Sequence, residues 1–259
     1  VDGIYLQIDK MQCLQIGEGK KILFAFHGFG QNPTTFEALR CVLPDYTIYS
    51  FDMLSFGKQP KKREVFEQIE RFCKSYGIDK FSLLAFSIGA KMALCLVEHF
   101  PEKIEKICLV APDGFKKHFW YNLAVSSIGK PLFWRFIKHP HPFFRWAHYL
   151  AYLKILPHQL IKIAEKYTDT PPKRFLLWRT WLAYKNLFPH HPSLHRIFEQ
   201  KSIPTKIILA YDDHLIPIKS VTTFSDKYSC IQTEQTVYLH HRVLHEAFKQ
   251  PSFSSFFND

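Results

Sequence analysis

The sequence predicts an α/β protein: a mostly parallel sheet of eight strands with helices on both faces, interrupted by one all-helical insertion. Three observations predict it. Short apolar runs recur through the first 111 residues and return after residue 204, and most are separated by segments of helical period. Residues 116–201 contain no convincing strand. The 259 residues, 47% of them hydrophobic, can bury a core of the size that a single α/β domain needs.

In chain order, strands are expected at residues 4–8, 11–16, 21–26, 47–52, 81–86, 104–111, 205–211 and 234–239, with the earliest ones antiparallel. Residues 63–76 place Val65, Phe66, Ile69, Phe72, Cys73 and Tyr76 on one helical face, so that helix covers the sheet. Residues 88–100 are apolar almost all round, as suits a helix buried behind a sheet.

The junction between that strand and helix carries the most chemistry. Ala85-Phe86-Ser87-Ile88-Gly89 sets a serine between small residues on a sharp strand-to-helix turn, the form of a nucleophile elbow. The small neighbours let the turn close, and Gly89 lets the helix approach the strand. Ala85 replaces the usual first glycine. Upstream, the strand at 22–26 runs into His27-Gly28-Phe29-Gly30. Acyl transfer builds negative charge on a carbonyl oxygen, and two backbone N–H groups must be aimed at it in advance. Phe29 and Ile88 are the candidates for those donors, and His27 is structural. Downstream stand Asp212-Asp213-His214-Leu215-Ile216-Pro217, at the end of a buried strand, and then His240-His241 with Glu246.

With serine, acid and histidine in that order, the chain resembles the α/β-hydrolase superfamily nearly end to end, in particular its single-domain serine esterases with a helical cap, such as carboxylesterases acting on acyl-carrier methyl esters. The resemblance implies an α/β-hydrolase fold. It also implies a Ser87, Asp213, His241 triad that cleaves a carboxylic ester or thioester of a hydrophobic acyl group through an acyl-enzyme, with no cofactor and no metal. Family spacing selects Asp213, four residues before Pro217, and leaves Asp212 to cap or turn. It selects His241, five residues before Glu246. His240 then occupies the usual glycine position and becomes the base if the loop register shifts by one; His245 is a third candidate. Asp113, after the strand at 104–111, is a reserve acid, because some members place the acid there. Asp52 matches a structural turn. Non-catalytic binding proteins come from the same superfamily, and they form the rival class.

The expected organisation is a core of residues 1–115 and 202–259 with a cap of residues 116–201. The cap holds all five tryptophans and 15 of the 34 Lys and Arg, against Glu165, Asp169 and Glu199. Fifteen bases less three acids is +12, so the whole net charge of +11 belongs to it. A basic, aromatic surface suits an acidic protein, such as an acyl carrier, or an anionic membrane, whereas nucleic acid is disfavoured because no recognised module is present. Some of Phe119, Trp120, Phe133, Trp134, Phe136, Phe143, Phe144 and Trp146 are expected to line an apolar pocket.

Among the fourteen histidines the close pairs, His139 with His141, His190 with His191 and His240 with His241, are adjacent or split by proline, unlike metal-ligand spacing. The six cysteines lack paired spacing and read as reduced and buried. No basic-then-apolar signal opens the sequence as given, and no uncharged apolar run nears the roughly 18 residues of a membrane span. The expected location is cytoplasmic, with peripheral contact at a membrane.

Overall fold

A computed structural model describes residues 3–116, 119–156, 158–211, 213 and 215–258, without the side chains of Trp120 and Leu160. Asp212 therefore lies outside the described residues.

Eight strands form one sheet: β1 (Ile4–Ile8), β2 (Met11–Ile16), β3 (Lys21–Phe26), β4 (Tyr46–Phe51), β5 (Phe81–Phe86), β6 (Ile104–Val110), β7 (Thr205–Leu209) and β8 (Ile231–Gln235). Their spatial order is β1-β2-β4-β3-β5-β6-β7-β8. β1 pairs with β2, and β2 with β4, antiparallel; every other pairing is parallel. Central strands β4 and β5 are buried at every position, as parallel strands covered on both faces must be.

The helices are α1 (Leu39–Val42), α2 (Lys62–Ser75), α3 (Gly89–His99), α4 (Phe119–Val125), α5 (Gly129–Lys138), α6 (Pro140–Tyr152), α7 (His158–Thr168), α8 (Pro171–Ala183), α9 (His191–Lys201), α10 (Ile218–Ser225), α11 (His240–Phe248) and α12 (Pro251–Asn258). Alternation along the strands sorts two apolar layers. On one face Phe24 stacks on Phe81 at 4.1 Å and meets Phe51 at 5.0 Å, and Phe72 of α2 closes over Phe51 at 5.3 Å. On the other, Leu23 and Ala25 join Val243, Leu244 and Ala247 of α11 and Phe253 and Phe257 of α12. Each such Phe, Leu or Val side chain, fully buried, contributes roughly 1.5–3 kcal/mol. The last turn of α12 is tied to the sheet, with Tyr46 donating to the Phe257 carbonyl at 2.8 Å and Lys106 to that of Phe256 at 2.9 Å.

The last strand lies earlier than expected, at 231–235 and not 234–239. It is a polar edge strand whose middle residues face water, so apolarity does not mark it. Residues beyond it keep single backbone bonds, Thr236 to Leu209 and Tyr211 to Tyr238, without continuing the strand.

The chain divides into two units, Val1–Lys116 with Asn186–Asp259, and Lys117–Lys185. The second unit is thus shorter than the expected 116–201. Residues 186–201 fold with the sheet: the His190 N–H donates to Glu98 at 3.0 Å, His191 Nε2 donates to the Gly114 carbonyl at 2.8 Å, and Phe198 of α9 packs on Phe224 and Tyr228 at 5.6 Å. The Lys117–Lys185 unit is helical, with twelve Lys and Arg against Glu165 and Asp169, a net +10. Its own core takes up much of its aromatic content. Phe133 sits 5.1 Å from both Trp178 and Trp181, Trp134 lies 4.9 Å from Trp178, and Phe136 meets Phe143 and Phe144.

Candidate active site

Ser87 stands between β5 and α3 with φ +51°, a left-handed conformation that a side chain rarely adopts. Backbone bonds hold it there: its N–H donates to Val110 at 3.0 Å, and its carbonyl accepts from Ala90 and from Asp113, each at 3.0 Å. At Gly89 a Cβ would lie 2.3 Å from the Phe26 carbonyl oxygen and 2.7 Å from that of His27, so only glycine lets α3 start against the end of β3. Ala85 is fully buried in β5, where a methyl is accommodated in place of the usual glycine.

The loop after β3 touches the elbow. A Cβ at Gly28 would fall 2.6 Å from the Phe86 ring. The loop is shaped from within, because the Gly28 N–H donates to Gln31 Oε1 at 2.9 Å. It is also pinned from below. Buried His27 donates from Nδ1 to the Gly28 carbonyl at 3.0 Å, while its Nε2 accepts the Met53 N–H at 3.4 Å, an arrangement that selects the Nδ1–H tautomer. Burial pushes the His27 imidazole below its ordinary value, against the smaller opposing effects of the Gly28 carbonyl and Asp52. Asp52 makes the turn expected of it, accepting the Leu54 N–H at 2.9 Å. Phe29 thereby sits on a loop in contact with the elbow, and Ile88 heads α3, where the leading N–H groups of a helix have no intrahelical acceptor.

His240, not His241, completes the constellation. Ser87 Oγ donates to His240 Nε2 at 3.0 Å, and His240 Nδ1 donates to Asp213 Oδ2 at 2.7 Å. The other oxygen of Asp213 accepts the N–H groups of Leu215 and Ile216 at 2.9 and 3.0 Å, leaving the carboxylate 1% exposed and fully bonded. Burial raises the Asp213 pKa, but the His240 hydrogen bond and charge and the two backbone donors outweigh it and hold the carboxyl below its ordinary value. His241 is exposed, and so is His245. The reason is helical phase. α11 begins at His240, which shares the inward face with Val243, Leu244 and Ala247 at i+3, i+4 and i+7; His241 is turned about 100° away. Glu246 lies in the seventh position of α11 and does not open it, so the spacing that favoured His241 has no structural counterpart.

Asp113 is committed elsewhere. Its carboxylate lies 2.9 Å from Lys91 Nζ, a lysine buried on α3. Sequence reasoning missed Lys91 and Gln31, which have no local signature; it held the signal for His240 in the periodicity just given.

Among the described residues no cluster of His, Cys, Asp and Glu could hold a metal ion, and no helix is long and apolar enough to cross a membrane. A separate cavity of about 470 Å³, lined by His195, Glu199, Lys227 and Tyr228 among others, contains no member of the constellation.

The chain is similar to several known proteins. The chain matches a probable lysophospholipase, BODYGUARD 4 of Arabidopsis thaliana, at 28% identity over 48% of this chain and 36% of that protein. It matches a human 1-acylglycerol-3-phosphate O-acyltransferase, ABHD5, at 30% identity over 26% of this chain and 22% of that protein. The matches thus span about a third or less of these curated relatives. Among solved structures it is similar to MGS-M2, an α/β hydrolase from a deep-sea metagenome library, with TM-score 0.65 at 14% identity over 99% of this chain and 98% of that one. It is also similar to a membrane phospholipase A described as a bacterial virulence factor, with TM-score 0.63 at 16% identity over 99% and 86%. The family model described as alpha/beta hydrolase fold matches residues 21–247. Together with the eight-stranded sheet and the elbow on β5, that match means that the chain belongs to the alpha/beta hydrolase fold family.

Proposed function

We propose that this protein is a serine hydrolase that cleaves a carboxylic ester of a hydrophobic acyl group, with Ser87 as nucleophile, His240 as general base and acid, and Asp213 as the residue that orients the histidine. The observation that carries the reading is the continuous chain Ser87 Oγ to His240 Nε2 to Asp213, at 3.0 and 2.7 Å, on a serine held at φ +51°.

The chemistry follows from that order. Ser87 Oγ attacks the ester carbonyl carbon as its proton passes to His240 Nε2. The carbonyl π pair moves to oxygen, which the N–H groups of Phe29 and Ile88 receive. Collapse breaks the bond to the leaving alkoxide, which takes the proton from His240. Water then repeats the sequence on the acyl-enzyme, giving the carboxylic acid and regenerating Ser87. Asp213, kept ionised by its hydrogen bonds to His240, Leu215 and Ile216, stabilises the imidazolium formed in each half-reaction.

Two supports favour a lipid ester: the named activities of the curated relatives concern glycerolipid acyl groups, and the second unit carries basic and aromatic surface. A thioester on an acidic acyl carrier is the second reading, favoured by the net +10 of Lys117–Lys185. A panel of p-nitrophenyl esters, lysophospholipids and acyl-carrier thioesters separates them. Turnover that rises with acyl length on free or lysophospholipid esters supports the first; turnover confined to the carrier thioester supports the second. Ligand binding with no turnover of any would return the chain to the non-catalytic class.

A further inference from the structure

Among the described residues, exposed large hydrophobic side chains are concentrated in one place. Eleven belong to the Lys117–Lys185 unit and six to the much longer remainder of the chain. Six of the eleven follow one another on α6 and the turn after it: Phe143 (49% exposed), Trp146 (68%), Tyr149 (54%), Tyr152 (79%), Leu153 (46%) and Ile155 (63%). In the helix they recur every third residue, so they form a slanting stripe about 14 Å long that starts at Phe143, half-exposed beside Phe136, and runs onto the outer side. The inner side is spoken for, since Pro140 and Ala151 are buried. A soluble helix normally reverses this pattern, with charge outside, and a contiguous apolar face of this kind marks an interaction surface.

The fixed charges on α6 and the turn after it are of one sign. Arg145 and Lys154 are exposed beside it. The two acids of the unit lie off α6 and are hydrogen-bonded, Glu165 to His148 and Asp169 to Lys173, each at 2.8 Å. A second copy of this face would meet like charge. A surface that accepts a convex aromatic row while offering distributed negative charge is the interface of an anionic bilayer, where Trp and Tyr settle at headgroup depth and basic residues meet phosphate.

We propose that the outer face of α6, from Phe143 to Ile155, docks this protein on anionic lipid. The inference rests on the lipid-ester reading for its purpose; its geometry is independent of the triad. The docking is peripheral, with the helix lying in the interface plane.

The test is sedimentation of the full chain carrying Ser87→Ala, which removes turnover, with vesicles of phosphatidylcholine alone and of equimolar phosphatidylcholine and phosphatidylglycerol. Binding is expected on the mixed vesicles only and should weaken as salt is raised. The combined variant Trp146→Ala, Tyr149→Ala, Tyr152→Ala should lose about tenfold or more in partition coefficient, and Arg145→Glu with Lys154→Glu should weaken binding to the mixed vesicles, both with unchanged circular dichroism and melting. Failure of the chain to bind mixed vesicles, or binding undiminished by the aromatic substitutions, overturns the proposal. Light scattering showing a dimer that the aromatic variant dissolves, or capture of an acidic acyl carrier by the same face without lipid binding, also overturns it in favour of those partners. Because the readout is binding by an inactive variant, a failed hydrolase assignment leaves the result interpretable.

Discussion

Lys91 Nζ lies 2.9 Å from Asp113 Oδ2, with the two side chains only 3% and 15% exposed, and the Asp113 N–H donates to the carbonyl of Ser87. The pair therefore joins α3 to the segment after β6 at the elbow. A buried ion pair adds little net stability, but removing one partner strands the other charge in a dry site. Asp113→Asn is expected to cost about 3 kcal/mol in urea unfolding, and Lys91→Met with Asp113→Leu should cost less than the single change. Asp113→Asn should retain most turnover, whereas Asp213→Asn, which disturbs the histidine tautomer, should lose about 10³–10⁴-fold in kcat.

The two adjacent histidines should behave oppositely. His240→Ala is expected to abolish ester turnover, losing about 10³-fold or more in kcat. His241→Ala, at an exposed position on α11, should change kcat by less than about twofold and leave stability within about 0.5 kcal/mol. Steady-state kinetics on a p-nitrophenyl ester checks both.

Acid should weaken the loop that carries Phe29. Because burial places the folded His27 pKa below the ordinary 6.5, the unfolded chain takes up the proton first. The stabilisation from neutral His27 is thus present above pH 6.5 and is lost as pH falls below it. Urea midpoints measured between pH 7.5 and 5 should decline in the native protein, and the decline should be shallower in His27→Gln.

The cysteines should divide by burial. Cys13, Cys95 and Cys108 are buried, and desolvation pushes each thiol up to about 12. Cys41 is exposed, which departs from the expectation that the cysteines are buried. Iodoacetamide followed by peptide mapping should modify Cys41 in the native protein and the other three only after unfolding.

Much of the fold is legible in the sequence because its central strands are buried on both faces and so carry apolar runs, Ile22 to Phe26 in β3 and Leu83 to Phe86 in β5 most plainly. β8 is not, because an edge strand that leaves Gln232 and Thr233 in water needs no apolar face. The elbow is legible for a steric reason, visible at Gly89 against the Phe26 carbonyl. The histidine is legible only through helix phase: counting back from Val243 and Leu244 reaches His240, while family spacing counted back from Glu246 reaches its neighbour. The limits of the helical insertion are obscured by Leu194, Ile197 and Phe198, which bury a face against the sheet-bearing unit in a stretch whose prolines and histidines resemble those before it. Lys91 reads as one lysine in an apolar helix, and only tertiary structure supplies its aspartate.

The proposed function stands on Ser87 as a nucleophile activated by His240. The most direct measurement is labelling with a fluorophosphonate, which reacts only with an activated serine, followed by mass-spectrometric mapping in the native chain and in the His240→Ala and His241→Ala variants. A single adduct is expected on Ser87 in the native protein and in His241→Ala, and none in His240→Ala. Labelling that survives in His240→Ala and vanishes in His241→Ala, or an adduct on any serine other than Ser87, would contradict it.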